Sequence, residues 1–127
     1  MNTAYCYCGS AKNFEGCCKP VINFSKKAKT AEALMRSRYS AYAIQNIEYL
    51  LATTHRSQRK YYSMEEILNW SQSNKWIKLE ILKATEKTVE FKAYFLNAEH
   101  CSKIHHEFSH FIFENETWFY VSGDFFD

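Results

Sequence analysis

The sequence predicts an α+β fold, helices first and an antiparallel sheet second, carried behind a small cysteine knuckle. Three observations lead there. Apolar residues recur at three-and-four spacing between Thr30 and Ser73, the period of helices packed on one side. From Trp76 onward the period falls to two, in four runs joined by short links. Residues 5–20 hold four of the five cysteines, the only proline and two of the three glycines. Such a turn-rich stretch keeps a shape only if something staples it.

A chain of 127 residues has room for one core and a small appendage. The expected division is a knuckle and connector at 1–29 and the α+β domain at 30–127. Aromatic residues make up 17% of the chain and gather in its second half, where large rings suit a half-buried pleated surface. That reading is favoured over a base-stacking platform or a ligand cage. A formal charge of +2 is too small to argue for nucleic acid. The charge is unevenly spread, since residues 1–29 carry five lysines against Glu15, a net of +4, and the remainder sums to −2. Part of that basic head is counter-charge for thiolates on a metal. No run of roughly eighteen apolar residues occurs, so no membrane span is expected. Met1–Ser10 lack a charged start followed by an apolar stretch, and a cytoplasmic location is expected. In that compartment clustered cysteines point to metal or redox chemistry rather than disulfides.

The elements follow in order. Thr30 can cap a helix whose inner face is Ala31, Leu34, Met35, Arg38, Tyr39 and Tyr42. A break is expected near Gln45, with Asn46 capping a second helix that ends before His55. Ser63 and Glu66 form a capping box for a helix from Met64 to about Ser73, burying Ile67, Leu68 and Trp70. Trp76–Leu82, Thr88–Phe95, His106–Phe113 and Thr117–Ser122 then read as four strands of a meander. Their turns are expected at Glu86-Lys87 and Glu114-Asn115-Glu116. Cys101 stands alone in a loop and is expected to be a plain thiol.

The cysteine spacing is Cys6-x-Cys8, eight residues, then Cys17-Cys18. Zn²⁺ takes four such ligands tetrahedrally at about 2.3 Å. The short Cys-x-Cys turn can aim two sulfurs at one point, and Gly9 lets backbone N–H groups approach them. Cys17 and Cys18 can both reach the ion if they begin a helical turn, whose dipole favours anions. One structural zinc with Cys6, Cys8, Cys17 and Cys18 as ligands is therefore expected, with reduced thiols or a redox pair as the rival. Four filled positions make a closed site, with none left for substrate.

Cys6-x-Cys8-Gly9-Ser10, Phe14 and Cys17-Cys18 resemble the SEC-C motif, named from the zinc tail of the SecA translocase. Ala33-Leu-Met-Arg-Ser-Arg-Tyr-Ser-Ala-Tyr42, Tyr49-Leu-Leu-x-x-Thr-His55, His106-Glu107-x-Ser109-x-Phe111 and Trp118-x-Tyr-Val-x-Gly-Asp124 resemble the YchJ family of small bacterial proteins. The resemblance runs over nearly the whole chain. It implies a SEC-C knuckle joined to a cystatin-like, nuclear-transport-factor-two-like domain, a cone of helices over a curved antiparallel sheet. It implies a fold and a metal, and no reaction. Three positions depart from the family pattern: Ala11 where a glycine is common, Thr54-His55-Arg56 in place of Trp-His-Pro, and Val121-Ser122-Gly123 in place of Val-Asp-Gly. If position 11 needs a positive φ, Ala11 is strained.

In a cone of this kind a cavity forms between sheet and helices. The candidate lining groups are Arg36, Arg38, Tyr39, Tyr42, His55, Glu107 and Ser109. Glu107, Ser109 and Phe111 share one strand face, and His106, Phe108, His110 and Ile112 the other. The family motif favours the first as the inner face. A buried Glu107 then needs a partner, and Arg36 or Arg38 is the expected one. Glu107 or a histidine can be read as a general acid/base, or Glu107 as half of a structural ion pair; the second is favoured. His106 and His110 lie about 13 Å apart on one face, too far to share an ion. The reading carried forward is a non-enzymatic adaptor docking a protein partner through the knuckle and Lys12, Lys19, Lys26 and Lys27. The alternative is a small-molecule binder or enzyme using the cone. Nucleic acid ranks third.

Overall fold

The computed structural model describes residues 5–126, so Met1–Ser10, read above for a leader, lie partly outside it. The knuckle contains a 3-10 turn at Phe14–Gly16 and a short helix α1, Lys19–Ile22. Helices α2 (Ala31–Ile44), α3 (Ile47–Ala52) and α4 (Met64–Ser73) follow, with a 3-10 turn at Arg59–Tyr61. The strands are β1 (Lys75–Ala84), β2 (Thr88–Leu96), β3 (Ser102–Glu114) and β4 (Thr117–Phe126), paired as one antiparallel meander in chain order.

The caps act where the sequence places them. Thr30 Oγ1 accepts from the Ala33 N–H, Asn46 Oδ1 from Tyr49 and Ser63 Oγ from Glu66. Gln45 takes a left-handed φ of 62°, which ends α2 and lets α3 leave in a new direction. Helix α4 sits more loosely than expected. Ile67 and Leu68 are half-buried, Ser71 is the buried residue, and Trp70 keeps 40% of its surface while packing on Trp76 at 4.9 Å between ring centres.

The Asn115-Glu116 turn has both φ values positive, 52° and 59°, the backbone sense that suits a two-residue hairpin between right-twisted strands. Strands β3 and β4 run longer than the sequence predicts, β3 by pairing Ser102–His105 with β2 and β4 by continuing past one inserted residue. His110 pairs with Ser122 but Phe111 pairs with Tyr120, so Val121 is a bulge. A one-residue bulge reverses which parity faces inward. Trp118 and Tyr120 point to the core before it. Gly123 lies under Glu107, and Phe125 lines the inner cavity, after it. Two further bulges lie at Ile77 and Leu82, and the first brings Trp76 to the same side of β1 as Leu79 and Ile81.

Helix α2 lies on the sheet's inner face. Its Leu34, Met35 and Tyr39 join Leu79, Val89, Phe91, Ala93, Phe111, Trp118 and Tyr120 in the core. The segment after α3 closes against β4: Tyr120 N–H donates to Thr53 O and His55 N–H to Tyr120 O, both at 2.8 Å. Cys6, Cys8, Cys18 and Ile22 belong to the same buried cluster, so the knuckle is seated on α2. Among the described residues no helix is long and apolar enough to cross a membrane.

Candidate metal centre and sheet-side pocket

The four sulfurs of Cys6, Cys8, Cys17 and Cys18 all lie within 4.8 Å of one another, a set that can hold a metal ion. Cys8 Sγ is 3.7 Å from Cys17 Sγ, and Cys17 Sγ is 4.0 Å from Cys18 Sγ. A tetrahedron with bonds of about 2.3 Å has edges of about 3.8 Å, so the sulfurs stand at the spacing of a four-thiolate site. The backbone explains how they converge. Cys6 N–H donates to Lys12 O at 2.7 Å, closing the first loop, and Cys17 ends the 3-10 turn. Cys18 takes the cap position of α1, as the adjacent-cysteine argument requires.

Gly9 acts differently from the expectation. Its N–H donates to Cys6 O, not to a sulfur, and its φ is +80°. A β-carbon there would stand 3.3 Å from Leu79 O on β1. The glycine is needed for the turn and for close approach to the sheet. Hydroxyls do approach the sulfurs: Ser10 Oγ is 3.1 Å from Cys17 Sγ, and Ser40 Oγ of α2 is 3.6 Å from Cys6 Sγ. Three of the cysteines are buried and the fourth is half-buried. Hydrogen bonds from Cys18 and Cys8 pull the Cys6 thiol down, and the same contact with Cys6 pushes Cys18 up. Such a cluster shares protons until a cation relieves it.

Ala11 has φ 66°, so the residue standing where the SEC-C resemblance expects glycine is in the left-handed region. Ala11→Gly is expected to stabilise the fold by about 1 kcal/mol, read as a higher urea midpoint at unchanged slope. An unchanged or lower midpoint would show that the strain is relieved elsewhere.

The second site is a cavity of about 230 Å³ between α2, α4 and the inner face of the sheet. Of the seven expected lining groups it gathers Arg38, Tyr39, Tyr42 and Glu107. Arg36, His55 and Ser109 lie elsewhere. Arg36 belongs to the knuckle, with Nη1 donating to Cys8 O at 2.7 Å and Nε to Glu32 at 3.0 Å. His55 is on the β4 side, 3.0 Å from Glu114 and edge-on to Phe119. Ser109 is wholly buried, donating to Glu107.

The expected Arg–Glu pair is not formed. Glu107 instead accepts three hydrogen bonds of 2.7 Å, from His105 Nε2, Ser109 Oγ and the Tyr120 hydroxyl. Three short donors satisfy a buried carboxylate without a permanent cation. Arg38 is held by the Leu50 carbonyl and the Thr53 and Thr54 hydroxyls, with its guanidinium 4.5 Å from the centre of the Tyr120 ring. Two further histidines pair separately on the outer face, His106 with Glu90 and His110 with Asp124.

Burial alone would raise the Glu107 carboxyl, but the His105, Ser109 and Tyr120 hydrogen bonds outweigh it and hold it below the ordinary value. A carboxyl lower in the folded chain than in the unfolded one adds stability above its unfolded pKa, lost as pH falls through the folded value. Stability is therefore expected to fall as pH is lowered from the ordinary 4.5, with a shallower fall in Glu107→Gln. Urea midpoints across pH 3–6 check this, and parallel curves for the two proteins would refute it.

The family model for the middle, NTF2-like domain of YchJ matches residues 30–123. The chain belongs to the YchJ family. Two YchJ relatives are UPF0225 proteins. One, from Geobacter sulfurreducens, is 36% identical over 128 residues, covering 95% of this chain and 79% of its own. The other, from Polaromonas naphthalenivorans, is 42% identical over 116 residues, covering 87% and 81%. The solution structure of a SEC-C motif containing protein from Rhodopseudomonas palustris matches with a TM-score of 0.91 at 34% identity, over 98% of this chain and all of that one. A crystal structure of a SEC-C motif containing protein from Psychrobacter arcticus matches with a TM-score of 0.78 at 30% identity, over 96% and 81%. The NTF2-like fold with its cysteine cluster thus holds for this YchJ chain as the resemblance implied.

Four groups that the YchJ motifs did not place are His105, Tyr120, Trp70 and Trp76. His105 could have been found by parity, since it shares a strand face with Glu107. Tyr120 stands in the quoted Trp118-x-Tyr segment, but only the pairing of β4 with β3 shows that its hydroxyl meets Glu107. The two tryptophans gave no signal beyond their size.

Proposed function

We propose that this YchJ-family chain is a zinc-stapled adaptor that docks a protein partner through its knuckle. One observation carries the reading. A closed, largely buried four-sulfur cluster is flanked by exposed side chains: Tyr5 at 75%, Tyr7 at 49%, Lys12 and Lys19. A site with four thiolate donors keeps no position for substrate, and exposed tyrosines beside cations suit a protein surface. Zinc is the ion that tetrahedral thiolate sites favour, and free thiols fit the reducing cytoplasm. Lys26 and Lys27, further along the same basic segment, also border a second hollow with Phe24 and Trp118.

Native mass spectrometry is expected to show one zinc per chain; a chain that neither holds nor takes up zinc would overturn the staple. Crosslinked capture of a partner should fall at least about tenfold in the Lys12→Ala/Lys19→Ala double variant with zinc retained. Equal capture by the variant would remove the knuckle from the interface.

A second reading, a small-molecule binder, is favoured by the aromatic cavity and its buried arginine. Glu107 is not its catalytic base, because three donors already occupy the carboxylate and lower its basicity.

A further inference from the structure

Arg38 is the least explained group in the molecule. It is 6% exposed and lines the cavity, yet no carboxylate among the described residues stands within ion-pair distance of it. All three of its hydrogen bonds leave from Nη1. Nε and Nη2 have no protein acceptor there. Among the described residues no fully enclosed side-chain nitrogen or oxygen lacks a partner, so those N–H groups still have open space beside them. A guanidinium never deprotonates in a protein, and a buried one without a counter-ion is costly. Positive charge is thus fixed at the cavity wall with donors to spare.

Glu107 does not pair with it. Its oxygens are filled by His105, Ser109 and Tyr120, and what reaches Arg38 is the face of the Tyr120 ring. Apart from Met35 and Ala93, the rest of the lining is aromatic. Trp76 packs with Trp70 at 4.9 Å, with Tyr42 at 5.7 Å and with Tyr39 at 6.0 Å between ring centres. About 230 Å³ lies below the ~300–1,000 Å³ that drug-sized ligands need, so the occupant is small.

We infer that the cavity binds a small monoanionic carboxylate with an aromatic body, its acid group on the free guanidinium edge of Arg38 and its ring among Tyr42, Trp70 and Trp76. This rests on the second reading above, that the cavity holds a small molecule. A cationic ligand is disfavoured, because Glu107, the one carboxylate lining the cavity, already has three donors on its oxygens. A phosphate dianion is disfavoured too, since one guanidinium balances a single charge and matches the fork of a carboxylate.

The test uses the full-length, zinc-loaded chain and the fluorescence of Trp70 and Trp76, with calorimetry alongside. The probes are benzoate, phenylacetate and indole-3-carboxylate, the matching neutral amides, and benzyltrimethylammonium. At least one acid is expected to bind saturably, its amide at least about tenfold more weakly. Ala93→Leu, which places bulk in the cavity without touching a polar group, should abolish that binding with circular dichroism unchanged. Arg38→Lys, which keeps the charge but loses the fork, should weaken the acid and leave the amide as it was. Equal affinity for acid and amide, or a preference for the ammonium probe, would overturn the carboxylate assignment and leave the small-molecule reading standing. No saturable binding by any probe to the folded chain would overturn both.

Discussion

Stripping zinc from the folded chain with a chelator is expected to lower its thermal midpoint by more than ~10 °C, a loss of about 3 kcal/mol for a domain of this size. The reason is where the sulfurs sit. Cys8 is fully buried, and Cys6 and Cys18 nearly so, inside the cluster that includes Ala31, Leu34 and Leu79. The segment carrying them has few apolar side chains of its own, so on the proposed reading a bound ion would be what holds it against α2 and β1. Without the cation, neighbouring thiols drive one another's proton affinities in opposite directions, and Ser40 and Arg36 are left beside an uncompensated site. Cys8→Ser should show the same drop together with loss of the zinc. Cys101→Ser, in the exposed Asn97–Cys101 loop, should shift the midpoint by no more than about 1 °C. A zinc-free chain melting at the same temperature as the loaded one would show that the knuckle's contacts hold without metal.

The second large effect is expected at Gly123. The carboxylate arm of Glu107 crosses directly over this residue, and a β-carbon built there would sit 2.8 Å from Glu107 Cγ and still closer to its carboxylate. No side chain fits. Gly123→Ala must therefore push Glu107 away from its three donors or part β3 from β4. Either way a buried charge loses its partners, at a cost of about 3 kcal/mol or more. The account is checked by a double-mutant cycle. In the Glu107→Ala background the same glycine substitution should cost at least about 1–2 kcal/mol less, because the obstructing arm is gone. Equal costs in both backgrounds would mean that Gly123 is needed for its backbone alone.

The elements and the metal site were the most legible parts of this chain, because local chemistry determines them. Thr30, Asn46 and Ser63 cap where hydroxyl and amide residues precede apolar periodicity, and four soft ligands converge because their spacing allows little else. The pocket was half legible. Period-two reasoning put Glu107 and Ser109 on one face and the family motif turned that face inward, but the alternation assumed unbroken strands. The bulge at Val121 reverses the parity of β4, so neither Gly123 beneath Glu107 nor Phe125 in the cavity wall could be seen from alternation. Charge matching misled in the same region. It joined Glu107 to Arg36 or Arg38, whereas a histidine and two hydroxyls meet the carboxylate and Arg38 goes to a carbonyl and two threonines. Donors brought together across a sheet carry no pattern in the linear sequence.

The β1 bulges bear on how crowded copies of this chain behave. A four-stranded meander leaves two outer strands whose backbone groups could template another chain. On β4 the middle of that margin is taken by Thr53 and His55, bound on either side of Tyr120. On β1 the inserted Ile77 and Leu82 interrupt the ladder twice, and exposed Lys75, Lys78 and Lys83 add like charge along it. A strand from a second copy would meet a kinked, cationic margin with no long straight run to extend. The same irregularities, the first of which turns Trp76 toward the cavity, thus guard the sheet against fibril-like stacking.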